Sequence, residues 1–183
     1  FRAVYKIKKF KPDIINIHNL HGYYINYKIL FYYLKKINKP IIWTLHDCWP
    51  FTGHCAHFDY IKCYKWKTQC YSCPLKKDYP TSYIFDSSRK NYKIKKTTFT
   101  SIKNITFITP SDWLKKLVQL SYLKNYNIKT INNGIDLLQD FKYIPDLKEE
   151  KIVLAVASPW TKRKGYNDLK NIAKKLKGCC TFV

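Results

Sequence analysis

All five histidines of the chain lie between positions 18 and 57, and several directly follow apolar runs. His18 and His21 follow the first run, and His46 with Asp47 follows the second. Imidazole and carboxylate groups exchange protons and bind polar ligands near neutral pH. A histidine at a strand end is often only a structural hydrogen-bonding group, but several at one edge predict a polar ligand site.

These side chains are positioned by alternating strand and helix patterns. A helix is expected to end at Phe10, and either Ser111 or Asp112 could cap a later helix. Strand-helix-strand alternation predicts an α/β fold, a Rossmann-like doubly wound parallel sheet whose ligands bind beyond the carboxyl ends of its strands. Predicted strands cover residues 14–17, 41–45, 105–109 and 128–131, and the helices between them cover 25–37 and 113–118.

A second unit is predicted after residues 137–150, whose mixed charge and lack of period are typical of a linker. A buried strand at 152–156 precedes a basic loop, an amphipathic helix at 169–176 and the start of another strand at 179–183. One βα unit cannot cover its own apolar face, so we expect a truncated second domain. The predicted organisation is therefore 1–136 with a Cys-rich insertion at 47–100, the linker 137–150, and the unit 151–183.

The net charge of +22 raises the question of nucleic-acid binding. Only three of the basic residues are arginines, whereas base readout and bidentate phosphate contacts favour arginine. A solvated basic surface, able to lie against anionic lipid, is the preferred interpretation. No run reaches the ~20 apolar residues of a membrane-spanning helix and no signal peptide is visible, so a cytoplasmic protein is expected, with peripheral membrane contact as an option.

Four cysteines are clustered in the irregular segment between the second and third predicted strands. The pair that closes this cluster is Cys-x-x-Cys, a spacing that lets two thiolates face one tetrahedral ion, and four thiolates favour structural zinc. Cys48, His54 or His57 could replace one ligand. Reduced thiols packed among aromatic side chains, or a disulfide or redox pair, are the alternatives. The predicted ligands are Cys55, Cys63, Cys70 and Cys73.

Several motifs also carry a family resemblance. They are Trp43-Thr44-Leu45-His46-Asp47-Cys48-Trp49, Phe51-Thr52-Gly53-His54-Cys55, Thr109-Pro110-Ser111 and Asn133-Gly134-Ile135-Asp136. With these motifs the chain resembles bacterial GT-B glycosyltransferases of family four, especially those of colanic acid and other exopolysaccharide assembly. The likeness covers roughly residues 3 to 183, and it is specific from Trp43 to Cys73.

The resemblance implies retaining transfer of a sugar from a nucleotide-diphosphate donor to a glycan or lipid-linked hydroxyl, without an essential metal. His46 would face the cleft near the transferred sugar, or else merely order its loop. Asp47 could orient that imidazole or point away from it. The cleft on the acceptor side would be formed by His18, His21, Gly22, Asp47, Ser111, Asn133 and Gly134.

On the donor side, Lys164-Gly165 matches the Lys-Gly pair with which the family grips the diphosphate. Pro159 stands where the family has an arginine, so either Arg163 or Lys162 substitutes for it or the phosphate site is altered. Cationic side chains at a helix N-terminus suit a pyrophosphate. The family's pair of glutamates would lie beyond Val183, so we expect this segment alone to be inactive.

The sequence is also compatible with two other functions. A zinc-stapled module could bind nucleic acid through its lysines and aromatic rings, and its affinity would then fall steeply with salt. A non-catalytic remnant of a transferase is the second alternative.

Overall fold

The computed structural model describes residues 2–22, 24–136 and 151–183. They belong to two compact units that divide between Gly134 and Ile135. In the first unit, four parallel strands form one sheet in the order β1-β2-β3-β4. The strands are β1 Ile15–Ile17, β2 Ile41–Thr44, β3 Ile105–Thr109 and β4 Asn127–Thr130. The predicted α/β, Rossmann-like parallel sheet is confirmed.

The helices of the first unit begin at well-defined caps. The side chain of Asn26 accepts hydrogen bonds from the backbone amides of Lys28 and Ile29 at the start of α2. The Ser111 hydroxyl accepts from the Leu114 amide at 3.3 Å, so Ser111 rather than Asp112 caps α4. The helices are α1 Arg2–Phe10, α2 Tyr27–Ile37, α3 Ser88–Phe99 and α4 Asp112–Gln119.

An aromatic cluster around Trp43 forms the centre of the core. The Trp43 ring lies 5.4 Å from Phe31 on α2, 4.8 Å from Phe99 on α3 and 5.5 Å from Phe107 on β3, measured between ring centroids. These separations are typical of favourable aromatic pairs. The Trp43 indole also donates to the backbone carbonyl of His18 at 3.0 Å. The core therefore fixes the chain just after β1, where the histidines begin.

The segment 47–100 was predicted to be an irregular Cys-rich insertion, and that prediction is wrong for residues 88–99, which form the helix α3. Its buried positions are Ser88, Tyr92, Lys95 and Phe99. Because two of these four core-facing residues are polar, the helical period of apolar residues is hidden. The rest of the segment is irregular, with single-turn 3₁₀ helices at Trp49–Phe51, Asp59–Ile61 and Lys65–Lys67.

The second unit contains β5 Ile152–Val153, α5 Tyr166–Lys175 and β6 Thr181–Phe182, with the two strands parallel. The prediction of a buried strand at 152–156 is wrong: Leu154 is 70% exposed and Val156 is 85% exposed. Two short strands and one helix cannot cover this apolar face. The predicted linker 137–150 lies outside the described residues. Among the residues described, no helix has the length and apolar character needed to cross a membrane.

Candidate functional site

The first feature of the site is a pair of histidines at the carboxyl ends of β1 and β2. Nδ1 of His18 lies 2.9 Å from Nε2 of His46, and the two rings are stacked with centroids 5.2 Å apart. The Asn16 amide nitrogen lies 3.3 Å from Nε2 of His18. Since that amide nitrogen donates, His18 carries its proton on Nδ1 and donates it to His46. His46 then holds its own proton on Nδ1, where it can donate to a ligand.

The second feature is a buried histidine–carboxylate pair from the same strand ends. Nε2 of His21 lies 2.7 Å from Oδ2 of Asp47, and their side chains are only 7% and 9% exposed. Nδ1 of His21 lies 2.9 Å from the Tyr79 hydroxyl. An imidazole protonated on Nε2 satisfies both contacts, donating to Asp47 and accepting from Tyr79. Asp47 also accepts from the Trp49 backbone amide at 2.8 Å, so its carboxylate orients His21 and not His46.

A cavity of about 620 Å³ opens beside His21. Its walls include the aromatic rings of Tyr27 and Trp49 and the imidazole of His54. His54 is 8% exposed, and its Nε2 has no hydrogen-bond partner. Burial is the largest cause that lowers the pKa of His54. A buried ring nitrogen without a hydrogen-bond partner is uncommon in a folded protein, which makes His54 an unusual part of this wall.

Lys95 on α3 anchors the loop that carries Asp47 and Trp49. Its ammonium group donates to the carbonyls of Trp49 at 2.9 Å and Thr52 at 3.1 Å. It also lies 3.5 Å from the centroid of a Trp49 ring, a cation–π contact. Burial places the pKa of Lys95 well below its usual value, although Cys55, Cys70 and Asp47 favour the charged form. Because Lys95 also lines the cavity, it joins the loop to the cavity wall.

The other residues predicted for this cleft are less closely joined to the histidines. Gly22 lines the cavity and has φ 98°, a conformation that favours glycine. Ser111 uses its hydroxyl to cap α4. Asn133 and Gly134 follow β4 at the same edge of the sheet and are exposed.

The predicted donor-side residues lie in the second unit at the start of α5. Gly165 is the N-cap residue of α5, with φ 75°. The Lys164 ammonium donates to the Ser158 carbonyl at 2.9 Å, and Arg163 is exposed. A cation and free backbone amides at a helix start can bind an anion.

The four predicted zinc ligands surround a separate void of about 10 Å³. The thiols of Cys55 and Cys73 are hydrogen-bonded, which raises the pKa of Cys55 and lowers that of Cys73 to about 7. Burial raises the pKa of Cys70 to about 11. All seven cysteines lie in the described part of the chain, and each is a free thiol there. Within the described residues, no three His, Cys, Asp or Glu side chains are already grouped to hold a metal ion.

Sequence reasoning missed several residues of the site. Tyr79 contacts His21 from 58 positions along the chain, and no local pattern indicates that contact. Lys95 is one of many lysines in a basic sequence, and nothing in its spacing predicts that it is buried. Trp49 could have been inferred, because it follows Asp47 by two residues and an aspartate often caps the amide two positions on.

The parallel α/β sheet, with hydrogen-bonded imidazoles at its carboxyl edge and a cavity alongside, is a Rossmann-like domain. The family model described as Glycosyltransferase Family 4 matches residues 1–138. The chain therefore belongs to Glycosyltransferase Family 4.

Among the relatives is the putative colanic acid biosynthesis glycosyl transferase WcaC of Escherichia coli strain K12. It is 34% identical over 133 residues. The match covers 69% of this chain and 32% of that protein, so the chain spans about a third of the relative's length. No solved structure matches the chain.

Proposed function

We propose that the protein acts in a retaining glycosyl transfer from a nucleotide-diphosphate sugar to a glycan or lipid-linked acceptor in cell-surface polysaccharide synthesis. The observation that carries this proposal is two hydrogen-bonded side-chain pairs at the carboxyl edge of the parallel sheet, His18–His46 and His21–Asp47. Membership of Glycosyltransferase Family 4 and the likeness to WcaC support the reaction class.

In the proposed reaction the bond from the anomeric carbon to the diphosphate oxygen breaks, and a bond to the acceptor oxygen forms. The proton of the acceptor hydroxyl passes to an oxygen of the leaving diphosphate. His46 is assigned to the transferred sugar, because its ring is exposed at the strand end and its Nδ1–H can donate to a sugar hydroxyl. His18 holds the His46 ring through the 2.9 Å contact.

The acceptor is assigned to the cavity beside His21. Aromatic walls from Tyr27 and Trp49 suit the apolar face of a sugar ring. Both ring nitrogens of His21 are already bonded, one to Asp47 and one to Tyr79, so His21 serves as a rigid part of the cavity wall.

The donor diphosphate is assigned to Lys164, Gly165 and Arg163. Cationic side chains and the N-terminus of α5 stabilise the negative charge that grows on the diphosphate as it leaves. This arrangement supplies the charge stabilisation from the protein itself, so the proposal includes no catalytic metal.

We place the protein in the cytoplasm, against the inner face of the membrane. The net charge of +22 favours anionic lipid, and three apolar side chains project beside the cavity. These are Tyr83, Ile84 and Phe85, which are 82%, 75% and 75% exposed. A membrane contact there would bring a lipid-linked acceptor to the cavity mouth.

The test is sugar transfer by a protein in which this chain is extended to the full length of its relatives, because the chain alone is expected to be inactive. UDP-glucose, UDP-galactose, GDP-mannose and GDP-fucose, each radiolabelled, are incubated with the protein and bacterial membranes, and label in the lipid and polymer fractions is counted. With the accepted donor, His46→Ala should lower kcat/KM at least tenfold, about 1.4 kcal/mol of transition-state stabilisation, because it removes a hydrogen bond to the transferred sugar. The anomeric configuration of the product, read by NMR, should match that of the donor.

Lys116→Ala is the control, since Lys116 is exposed on α4 and has no part in the proposed site. It should transfer sugar like the unchanged protein, and all three proteins should melt at similar temperatures. Absence of transfer from every donor would overturn the proposed reaction. Full activity in His46→Ala would remove His46 from the site while leaving the reaction class standing.

A further inference from the structure

The Cys-rich segment gathers four thiols around one small void. Cys55 and Cys70 are 7% and 9% exposed, and Cys63 and Cys73 are half-buried. All four line the void of about 10 Å³ that lies apart from the histidine pairs. We propose that these four cysteines bind one Zn²⁺ ion as a structural site.

The position of the sulfur atoms is the first argument. Zinc–sulfur bonds of ~2.3 Å place two sulfurs of a tetrahedral site about 3.8 Å apart, which is close to van der Waals contact. Cys55 and Cys73 share a side-chain hydrogen bond and both line the void, so these two thiols are neighbours on its wall. In this thiol form a proton joins the two sulfurs. An ion would replace that proton and draw Cys63 and Cys70 inward from the other walls of the void.

The backbone around the thiols is already fixed by other contacts. The Trp66 indole donates to the Cys63 carbonyl at 3.0 Å, and the Cys73 amide donates to Asp86 at 2.7 Å. The backbone of Gly53 hydrogen-bonds the Cys70 sulfur. The first two contacts fix the backbone of Cys63 and Cys73, and the Gly53 contact stabilises negative charge on the Cys70 sulfur.

Charge balance is the next argument. Four thiolates and Zn²⁺ carry a net charge of −2, which needs cations nearby. The Lys65 ammonium donates to the carbonyls of Tyr71 and Ser72, both at 3.1 Å, within the Cys-x-x-Cys turn. The only resolved ion pairs of the described residues lie elsewhere, so Lys65 is available to this cluster.

A zinc ion in this segment would order residues that form part of the cavity wall. Between Asp47 and Ser87 the described backbone has only three single-turn helices, yet this segment supplies Gly53, His54 and residues 80–85 to the cavity. Zinc coordination free energy becomes folding free energy, so an ion here would hold the cavity wall in place. Four protein ligands leave no open position, which makes the ion structural rather than catalytic.

The first experiment measures metal in protein purified under reducing conditions without chelator. Elemental analysis should find about one zinc per chain. Replacement by Co²⁺ should give the intense visible absorption of a tetrahedral thiolate complex. Cys63→Ser and Cys70→Ser should each lower the zinc content, and Cys63→Ser is the milder of the two because Cys63 is half-buried.

Two cysteines serve as matched controls. Cys48 is 2% exposed but does not line the void, and Cys180 belongs to the second unit. Cys48→Ser and Cys180→Ser should keep one zinc. Zinc below about a tenth of an equivalent, no Co²⁺ spectrum after metal addition, or a Cys55–Cys73 disulfide in its place would overturn the proposal. Loss of zinc in the Cys48→Ser control would also overturn it, because the ligand set would then be different.

Discussion

At the scale of single residues, Lys95 shows how a buried basic side chain can position other residues of a site. Its ammonium group binds the carbonyls of Trp49 and Thr52 and faces the Trp49 ring. These contacts hold the turn in which Asp47 accepts from Trp49, and Asp47 in turn holds His21. The orientation of the His21 ring therefore depends on Lys95, which lies on α3.

Lys95 also makes a prediction about pH. Because burial lowers its pKa in the folded protein, the unfolded chain binds more protons between the folded pKa and the usual value of about 10.4. The stability contributed by Lys95 is therefore greatest above that usual value and is lost as the pH falls. We expect the unfolding free energy of the unchanged protein, minus that of Lys95→Met, to be larger at pH 10 than at pH 7.5. The slope cannot exceed about 1.4 kcal/mol per pH unit.

Chemical denaturation of both proteins at several pH values measures this difference. Lys96→Met is the matched control, because Lys96 is the next residue of α3 and is exposed. Its difference from the unchanged protein should not vary with pH. A flat difference for Lys95→Met would show that the carbonyls and the Trp49 ring hold the pKa of Lys95 at its usual value despite burial.

At the scale of elements, Gly53 joins the Cys-rich segment to α3. A Cβ atom at Gly53 would lie 2.3 Å from the Ser88 carbonyl oxygen and 2.6 Å from Cβ of Cys70. Both neighbours are held by their own backbone, so neither can move cheaply. Gly53→Ala should lower the unfolding free energy by about 1–3 kcal/mol or more, as overpacking of a closed interior does.

Gly134→Ala is the comparison, because a Cβ there meets nothing within 4 Å. It should change the unfolding free energy by less than about 0.5 kcal/mol. Urea denaturation measures the unfolding free energies of the unchanged protein, Gly53→Ala and Gly134→Ala. Equal effects of the two substitutions would mean that the Cys-rich segment does not press against the start of α3.

The elements also show what could be predicted from the sequence. The strands β1, β2 and β3 are recognisable as short runs rich in apolar residues, and the predicted limits of β3 match the observed ones, Ile105–Thr109. β4 is a weaker signal, because Ile128 is its only apolar residue. Helix α3 was hidden because Ser88 and Lys95 occupy two of its buried positions. A polar residue in a core satisfies partners that only the folded chain brings near, so its burial leaves no periodic signal.

The contacts within the site could likewise be predicted only in part from the sequence. Parallel strands end at one edge, so the strand ends alone predict that His18, His21, His46 and Asp47 are neighbours. Which of them pair is set by side-chain direction and by loops. Tyr79 reaches His21 from an irregular segment, and Asp47 turns to His21 rather than to its neighbour His46. Neither contact follows from spacing.

At the scale of the whole molecule, the large positive charge must be explained by a partner or by solvent. The net charge of +22 produces a long-range field, and such a field attracts any anionic surface at low ionic strength. A lipid surface differs from other polyanions because it can also bury apolar side chains. Ile84 and Phe85 line the cavity and are each 75% exposed, so they are the side chains placed to enter a membrane.

We therefore expect the protein to sediment with vesicles that contain phosphatidylglycerol and not with pure phosphatidylcholine vesicles. Raising NaCl from 50 to 500 mM should weaken binding, because it shortens the screening length from roughly 14 to about 4 Å. Exchanging Ile84 and Phe85 together for serine should weaken binding at least tenfold, because each buried apolar side chain contributes about 1.5–3 kcal/mol.

Leu120→Ser is the control for that double substitution, since Leu120 is also an exposed aliphatic residue, at 54%, but does not line the cavity. It should bind vesicles like the unchanged protein. If the double variant also binds like the unchanged protein, charge alone explains the attraction and the apolar loop is not a membrane contact. If an unstructured oligonucleotide competes fully with the vesicles at 150 mM salt, the basic surface recognises polyanions in general, and a membrane-bound acceptor would have to reach the cavity by another route.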